Sequence, residues 1–390
     1  MLGLARRFLF EDPARLLTSL GGIVFAVVLV LVQVGIFNGF VRSSTLLIEE
    51  SRADLWIAGR DVLYLEITLP IAYAWVAKAA SVEGVARAEP LIIRTIVWKN
   101  ARGLLDYGRV VGIDPAGSLM RIDEHPTGDF GQIAKAHAFA VDAAQLREMG
   151  VEGIGASGTI RSVPAHLVAL THDTQPMISP TFFYTSLRNA VAWSPLSIDE
   201  FVRDPLLSSF DPNSPLQFIL VGIKPGFDIE RVRAALERTL PESRVLTRQE
   251  IMDITRRYWI KRTAIGFILG LVAILGIFVG IVVVAQILYA SVNEHLRDYG
   301  TLKALGIPDR TIYGSIVAQA IALALFGFFP GLLASFGVAA FARSVQDLLI
   351  LITPALAVEV LALDVVMCIV AGLFAVRRAI KVDPAIVFKV

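Results

Sequence analysis

Four long apolar runs constrain this sequence more than any other feature. They cover residues 18–41, 263–292, 311–342 and 355–376, and the first three contain no charged residue. Because a helix crosses a bilayer with about 20 apolar residues, each run is long enough to span a membrane. Charged residues make up 18% of the chain, whereas a typical soluble domain has about 25%. The sequence therefore predicts an α-helical membrane protein with four transmembrane helices.

The positions of lysine and arginine predict how these helices are oriented. Three basic residues precede the first run, three lie at 293–310 and four at 377–390, but one lies at 343–354. Short segments rich in lysine and arginine face the cytoplasm. We therefore expect both termini in the cytoplasm. The first run is longer than the apolar core of a signal peptide, so we interpret it as an uncleaved anchor.

This orientation places a large domain outside the cytoplasm. The predicted order is a cytoplasmic segment (1–17), transmembrane helix one (18–41), a periplasmic domain (42–262), helix two (263–292), a cytoplasmic segment (293–310), helix three (311–342), a short periplasmic loop (343–354), helix four (355–376) and a cytoplasmic tail (377–390).

The external domain contains the patterns of both strands and helices. Some segments are rich in β-branched and aromatic residues and bounded by turn formers, and others space their apolar residues as helices do. We therefore expect an α/β or α+β domain inserted between transmembrane helices one and two. The expected strands are 53–59, 90–98, 107–113, 158–170 and 215–223, and the expected helices are 71–82, 137–149 and 228–240.

The sequence also predicts a helix cap, a loop and a connecting helix in this domain. Asp228 is placed to cap the helix at 228–240. The segment 197–216 contains several prolines and acids, so we expect an irregular, mobile loop. The segment 247–263 has a helical pattern and no breaker before the second run. It predicts a rigid helix that continues into transmembrane helix two and carries motion between the membrane and the domain.

Motifs for enzyme chemistry and nucleotide binding are missing from the sequence. It contains no G-x-x-x-x-G-K-[ST], H-E-x-x-H, C-x-x-C or G-x-S-x-G. "GIGASG" (153–158) satisfies G-x-G-x-x-G, but it follows a helical pattern and precedes none, which favours a glycine-rich turn before a strand. The five histidines have no spacing that suits a metal, and a net charge of +1 gives no basic face for a nucleic acid. We expect no catalytic, cofactor or metal site in this chain and no nucleic-acid partner.

Glycines four residues apart predict close packing within the apolar runs. Such pairs let helix backbones approach in lipid, where packing drives association. They occur in the first and third runs, at Gly35/Gly39 and Gly327/Gly331, and twice in the second run, which makes the second run the best candidate for a tight interface. A proline in the third run offers a kink. The packing residues predicted in this way are Gly266, Gly270, Gly276, Gly280 and Pro330.

Asp364 lies inside the fourth run, with Glu359 nearer its outer end. An ionisable residue at this depth is costly and is therefore a candidate for function. Two interpretations stay open. Asp364 is a structural residue hydrogen-bonded to Gln286, Gln319 or Ser335 of a neighbouring helix, or it belongs to a proton relay.

The charged segment between the second and third runs has an apolar stripe of its own. Leu296, Tyr299, Leu302 and Leu305 recur every three residues, and Gly306 supplies a helix stop. A short amphipathic helix at the cytoplasmic face docks either on a membrane surface or on a protein. Because its body carries few basic residues, a protein partner is favoured.

These features together resemble the ABC transporter permeases of the FtsX/MacB/LolC type, which have one span, a large external domain and three further spans. The stretches "LTRQEIMDITRRYW" (246–259), "GFILGLVAILGIFVGIVVVAQILYASVNEHLRDYGTLKALGI" (266–307), "GFFPG" (327–331) and "MCIVAGLFAVRRAIKVDPAIVF" (367–388) resemble the DevC-type subfamily more closely. The resemblance covers nearly the whole chain and is strongest from residue 246 onward.

The resemblance implies a function and a set of partners. It implies a homodimer in the bacterial inner membrane, with two copies of a separate ATPase that binds ATP and Mg²⁺, a periplasmic adaptor and an outer-membrane channel. The segment after helix two would be a coupling helix, and ATP-driven movement would reach the periplasmic domain by mechanotransmission. The coupling residues carried over by position are Asn293, Glu294, Leu296, Arg297, Tyr299, Leu302, Lys303, Leu305 and Gly306.

Two functions are compatible with this resemblance. The first is export of a lipid, a glycolipid or another amphiphile. The alternative is an FtsX-like transmembrane regulator that activates a periplasmic partner, such as a cell-wall hydrolase, without moving a substrate.

Overall fold

The computed structural model divides the chain into two compact units. The α/β unit comprises Phe40–Thr263, and the helical unit comprises the chain before Phe40 and after Thr263. The structure describes residues 13–177, 179–196, 211–294, 308–346 and 348–380.

Helices and strands are numbered here in chain order. The helices are α1 Pro13–Ser43, α2 Leu46–Glu49, α3 Ala74–Ala80, α4 Leu187–Trp193, α5 Ile229–Thr239, α6 Arg248–Arg262, α7 Ala264–Glu294, α8 Asp309–Gln346 and α9 Pro354–Ile380. The strands are β1 Leu55–Gly59, β2 Ile71–Ala72, β3 Val85–Asn100, β4 Leu105–Ile113, β5 Thr127–Gly128, β6 Ala138–Asp142, β7 Ser157–Ile160, β8 Val163–Thr171, β9 Thr181–Ser186, β10 Pro215–Leu216, β11 Phe218–Ile223 and β12 Ser243–Thr247.

The helical unit consists of α1, α7, α8 and α9. Each of these helices contains a segment that is long and apolar enough to cross a membrane, with a mean hydropathy between 2.1 and 3.1. Pro330 lies inside α8. With the α/β unit placed between α1 and α7, the predicted fold class is confirmed.

The α/β unit is built on one long sheet whose strand order is β12-β1-β11-β3-β4-β9-β6-β8-β5, with β7 paired to β3 and β8. The pairs β4–β9 and β6–β8 are parallel. The long strand β3 joins two half-sheets, because Val85–Leu91 pairs with β11 whereas Ile92–Lys99 pairs with β4. The first half-sheet holds both β1 and β12, which are the strands nearest to the two ends of the unit.

Each face of this sheet carries a buried apolar core. In β1, Leu55 and Ile57 belong to one apolar core and Trp56 to the other, as the alternation of side chains along a strand requires. Helices α3, α4 and α5 contribute to the first core. Helix α6 adds Ile251 to the second core. Burial on both faces explains why β1, β6, β9 and β11 read as continuous apolar runs.

The amphipathic helix predicted at 228–240 is confirmed. It forms α5, and the Oδ1 atom of Asp228 accepts a hydrogen bond from the backbone N–H of Arg231 at 2.8 Å. Val232 and Leu236 are its buried residues. The predicted glycine-rich turn at 153–158 is also confirmed, since it leads into β7.

The helix predicted at 137–149 is wrong. Residues Ala138–Asp142 form β6, followed by a short 3-10 helix at Ala143–Leu146. Every residue of β6 is buried, with Phe139 in one core and Ala140 in the other. Burial on both faces removes the polar alternation of a half-buried strand, so the short apolar run could not be told from a helix.

Other segments differ in extent from their predictions. The run at 158–170 is a hairpin of β7 and β8, because Arg161 and Ser162 take positive φ values of 49° and 68° in the turn. The helix expected at 71–82 starts later, after the two-residue strand β2. In the expected loop at 197–216, residues 197–210 lie outside the described part of the chain.

The continuous helix expected from 247 into the second span is also wrong. Helix α6 ends at Arg262, and Thr263 is extended with φ −109° and ψ 146°. The Thr263 hydroxyl donates to the carbonyl oxygen of Trp259 at 2.5 Å, which satisfies one of the last carbonyls of α6. Helix α6 thus ends at a threonine whose side chain bonds the backbone, and no glycine or proline marks this end in the sequence.

Candidate functional sites in the helical unit

Two of the four predicted glycines of α7 lie against α1. A Cβ atom added at Gly276 would lie 3.0 Å from Cγ of Gln33, and one added at Gly280 would lie 3.1 Å from Cγ2 of Val30. These separations are tighter than ordinary side-chain contacts, so glycine allows the two helices to approach at these positions. At Gly270, the nearest atom is 3.8 Å away. Gly266 lies in the first turn of α7.

Helix α8 approaches α1 through the same kind of glycine pair. A Cβ atom at Gly327 would lie 2.5 Å from Cγ2 of Ile23, and one at Gly331 would lie 2.8 Å from Cγ1 of Val27. Since α7 approaches α1 in the same way, α1 packs against two other helices of its unit through glycine surfaces.

Asp364 is buried in α9, with 3% of its surface exposed. The Cys368 thiol, one turn along the same helix, donates to Oδ1 of Asp364 over 3.7 Å. Among the described residues, Oδ2 of Asp364 has no hydrogen-bond partner. An ionised carboxylate with so few donors is costly in apolar surroundings.

The structure does not pair Asp364 with any of the three expected residues. The Ser335 hydroxyl donates to the carbonyl of Gly331 on its own helix, at 2.8 Å. The Nε2 atom of Gln319 is buried and has no partner among the described residues. Gln286 is exposed. Helix packing accounts for the glycines of this unit, but the contacts of Asp364 do not account for its presence in the same way.

Most of the predicted coupling segment lies outside the described residues. Asn293 and Glu294 are the last two residues of α7. The description resumes at Pro308, whose carbonyl accepts a hydrogen bond from the Thr311 N–H at 2.9 Å as α8 begins. The positions outside it are Leu296, Arg297, Tyr299, Leu302, Lys303, Leu305 and Gly306, so their role stays a prediction.

The α/β unit contains one polar constellation that the sequence did not indicate. The Nδ1 atom of His172 lies 3.0 Å from Oδ2 of Asp123, and its Nε2 atom lies 3.4 Å from Oγ1 of Thr127. Burial would raise the pKa of Asp123, but hydrogen bonds from His125 and His172 hold it below its ordinary value. His172 and Thr127 are exposed, so no closed catalytic site surrounds them. Among the described residues, no group of acids, histidines and cysteine is placed to hold a metal.

Comparison with protein families gives a match in the helical unit. Residues 270–384 match the FtsX-like permease C-terminal family. The matched segment contains most of α7, all of α8 and α9, and the chain between α7 and α8. It therefore includes the segment that the sequence predicts to be the coupling helix.

Relatives with similar sequences are named as permeases. An uncharacterized ABC transporter permease of Mycobacterium tuberculosis is 36% identical over 124 residues, which are 31% of this chain and 33% of that protein. Another, from Methanocaldococcus jannaschii, is 28% identical over 187 residues, or 45% of this chain and 46% of that protein. The macrolide export ATP-binding/permease protein MacB of Hahella chejuensis is 28% identical over 123 residues, covering 31% of this chain and 19% of that protein. The matches span less than half of the length of each relative.

Two solved structures align with about half of this chain. The periplasmic region of MacB from Actinobacillus actinomycetemcomitans aligns over 53% of this chain and 94% of its own, with 10% identity and a TM-score of 0.35. The extracellular domain of the noncanonic ABC-type transporter YknZ from Gram-positive bacteria aligns over 50% of this chain and 99% of its own, with 10% identity and a TM-score of 0.35. The sequence matches confirm the resemblance to ABC transporter permeases, and the match to the FtsX-like permease C-terminal family covers residues 270–384 of this chain.

Proposed function

We propose that this chain is the permease subunit of an ABC exporter driven by a separate ATPase. The observation that carries the proposal is the FtsX-like match over residues 270–384, which includes most of α7, all of α8 and α9, and the segment between α7 and α8. No phosphate-binding loop motif occurs in the sequence. The ATP and Mg²⁺ would therefore be bound by the partner, as two ATPase copies on a homodimer of this chain.

In the proposed mechanism, closure of the ATPase pair moves the segment 293–306 and, with it, α7 and α8. Both helices pack on α1 through glycines, so a movement of either one displaces α1. Helix α1 runs without a break through Gly39 and Phe40 to Ser43, where the α/β unit has begun. Because α6 and α7 are separated at Thr263, we assign the transmission of motion to α1 rather than to the helix at 247–263.

The finer features of the proposal rest on the charge pattern and the resemblance. We place both termini in the cytoplasm of a bacterium, the α/β unit in the periplasm and the helices in the inner membrane. The cargo would be a lipid, a glycolipid or another amphiphile, passed to a periplasmic adaptor and an outer-membrane channel. A cargo handled in the periplasm would not need a polar path through the four helices.

The test is whether an ATPase co-purifies with the permease. We expect Leu302→Asp combined with Leu305→Asp to abolish co-purification while the permease stays in the membrane, because charge would replace the stripe that holds the partner. The matched control is Leu104→Asp with Leu105→Asp, at two leucines of the α/β unit that are 50% and 64% exposed. Retained ATPase binding in the first variant would contradict the coupling assignment.

A second measurement separates the exporter from the regulator. In a deletion strain, the exporter predicts accumulation of one lipid class in the inner membrane, reversed by the intact gene and not by the Leu302→Asp, Leu305→Asp variant. Unchanged lipid composition, together with a cell-wall hydrolase bound to residues 42–262, would favour the FtsX-like alternative.

A further inference from the structure

A groove in the α/β unit is lined by both cations and apolar side chains. It lies between α6 and the loop that joins β1 to β2, with a volume of about 260 Å³. The loop contributes Val62 and Leu63. Helix α6 contributes Ile254, Tyr258 and Lys261, which share one face because they are four and three residues apart.

The loop is held on α6 by specific contacts. The rings of Tyr64 and Tyr258 stack with centroids 4.0 Å apart and planes 14° apart. The Tyr64 ring also meets Trp259 edge-on at 5.8 Å. The backbone N–H of Leu65 donates to Oγ1 of Thr255 at 3.3 Å. The walls of the groove are therefore formed in the protein without a ligand.

Three cations line the groove without being used in ion pairs. Arg257 donates through Nε to the backbone carbonyl of Asp253, which leaves its terminal nitrogens available. Among the described residues, the ion pairs of α6 are made by Glu250, Asp253 and Arg256, and none is made by Arg257, Lys261 or Arg262. Basic residues at the end of a helix also stabilise the helix dipole, but the dipole does not account for the apolar wall that faces them.

The acidic residues near the groove leave this positive charge uncompensated. Glu66 is bound to Arg109 through a 2.7 Å salt bridge and is 8% exposed. The Asp253 carboxylate is already engaged, because it accepts a hydrogen bond from Gln249 and lies 4.0 Å from Nη1 of Arg256. Asp61, at the start of the loop, is exposed. Three cations against one exposed loop acid leave a net positive site suited to an anion.

The same loop exposes large apolar side chains beside these cations. Leu63, Ile67 and Leu69 are 41%, 47% and 58% exposed. Arg262 is two residues before Ala264, where the apolar span of α7 starts. Tyrosine, tryptophan, lysine and arginine next to a span are typical of the membrane–water interface. Because Arg262 lines the groove, one wall of the groove lies within a few residues of the apolar span along the chain.

We propose that this groove binds the phosphate headgroup of an anionic membrane lipid. Arg257, Lys261 and Arg262 contact the phosphate, while Leu63 and Tyr258 pack against the glycerol and upper acyl chains. The proposal goes beyond the export function and does not depend on it, because any membrane that contains anionic lipid supplies the ligand. The bound lipid would fix the base of the α/β unit at the membrane surface.

The experiment is native mass spectrometry of the full-length protein in detergent, with added dihexanoyl phosphatidylglycerol. Dihexanoyl phosphatidylcholine and inorganic phosphate serve as comparison probes. The test variant carries Arg257→Gln, Lys261→Gln and Arg262→Gln. The matched control removes the same charge from exposed positions elsewhere in the unit, as Arg231→Gln, Arg238→Gln and Arg244→Gln. Two single variants, Lys261→Gln and Leu63→Ser, are measured beside them.

We expect phosphatidylglycerol to bind the wild type and the control equally, and phosphatidylcholine to bind neither well. Each cation at a membrane surface is worth about a fivefold change in affinity, so the triple variant should bind ~100-fold more weakly and Lys261→Gln about fivefold more weakly. Leu63→Ser should weaken lipid binding and leave phosphate binding unchanged.

Three results would overturn the proposal. They are equal binding of the two lipids, undiminished phosphatidylglycerol binding by the triple variant, and displacement of the lipid by inorganic phosphate at equal concentration, which would indicate a free-phosphate site. If the triple variant does not fold, Lys261→Gln decides, since one exposed lysine replaced by glutamine removes only a charge.

Discussion

Replacing Gly327 with alanine should destabilise the packing of α8 on α1. The added methyl group would lie 2.5 Å from Cγ2 of Ile23, whereas ordinary contacts begin at 3.4 Å, so the two helices must move apart by about 0.9 Å. Overpacking of this kind costs about 1–3 kcal/mol. The matched control is Gly337→Ala on the same helix, where an added Cβ meets nothing within 4 Å. Both changes gain about 1 kcal/mol of helix propensity, so the difference between the two variants isolates the overlap.

The residue distribution provides a separate reporter for each unit. Cys368 is the only cysteine, and it is buried in α9. All five tryptophans lie within Phe40–Thr263, at positions 56, 75, 98, 193 and 259. A thiol-reactive fluorophore therefore detects opening of the helical unit during heating, while tryptophan fluorescence detects unfolding of the α/β unit. We expect Gly327→Ala to lower the thiol-detected midpoint by several degrees relative to Gly337→Ala, with the tryptophan transition unchanged.

A second-site change tests the cause of this destabilisation. Ile23→Ala removes the atom at 2.5 Å and leaves Cβ of residue 23 at 2.9 Å. Adding Gly327→Ala to the Ile23→Ala variant should therefore lower the midpoint less than adding Gly327→Ala to the wild type. Equal midpoints for Gly327→Ala and Gly337→Ala would refute the reasoning. A double variant whose losses simply add would also show that the two residues do not meet.

Three further predictions follow from individual residues. Asp364→Leu should raise the thermal midpoint and Asp364→Asn should leave it close to the wild type, because a buried carboxylate with few donors is costly. Both variants should lower transport, and unchanged transport would assign Asp364 a structural role. Glu250→Gln should lose about 0.5 kcal/mol at neutral pH. Burial raises the pKa of Glu250, but the Thr247 N–H and Arg233 hold it below its ordinary value of 4.5. The stability that ionised Glu250 contributes is therefore lost as the pH falls below 4.5. Denaturant titrations should show a difference in unfolding free energy between wild type and variant at pH 7 that becomes smaller at pH 3.5. A cysteine at the exposed Ser81 should be labelled by an impermeant reagent on intact cells and one at Lys381 only after lysis; the reverse pattern would invert the proposed topology.

The sequence predicted best the elements whose pattern has one buried face. Helix α5 has an apolar stripe, a polar face and a cap at Asp228, and it was predicted within a residue at each end. Strand β9, Thr181–Ser186, was missed because all of its residues are buried, so nothing alternates. The break at Thr263 comes from a hydrogen bond between side chain and backbone, which no residue pattern announces.

For the candidate sites too, the sequence indicated some residues, whereas their contacts required the structure. Glycine spacing indicated the close packing of Gly276 and Gly280, because both residues of a pair lie on one helix face, but it could not identify α1 as their neighbour. Asp364 was visible as a charge within an apolar run, whereas its contact with Cys368 required a three-dimensional structure. Asp123 and His172 are 49 residues apart, and only the fold brings them together.

Because the two half-sheets share β3, the second half-sheet can change in evolution without altering the first. The chain leaves the first half-sheet after Leu91 and returns to it at Phe218, and these two residues are paired across the strands β3 and β11. Paired residues in a sheet are about 5 Å apart, so the intervening excursion begins and ends at almost the same place. A segment whose two ends are adjacent can be replaced by one of another length without shifting the register between β3 and β11. The second half-sheet can therefore change in length and sequence while the strands that connect to the helices stay as they are.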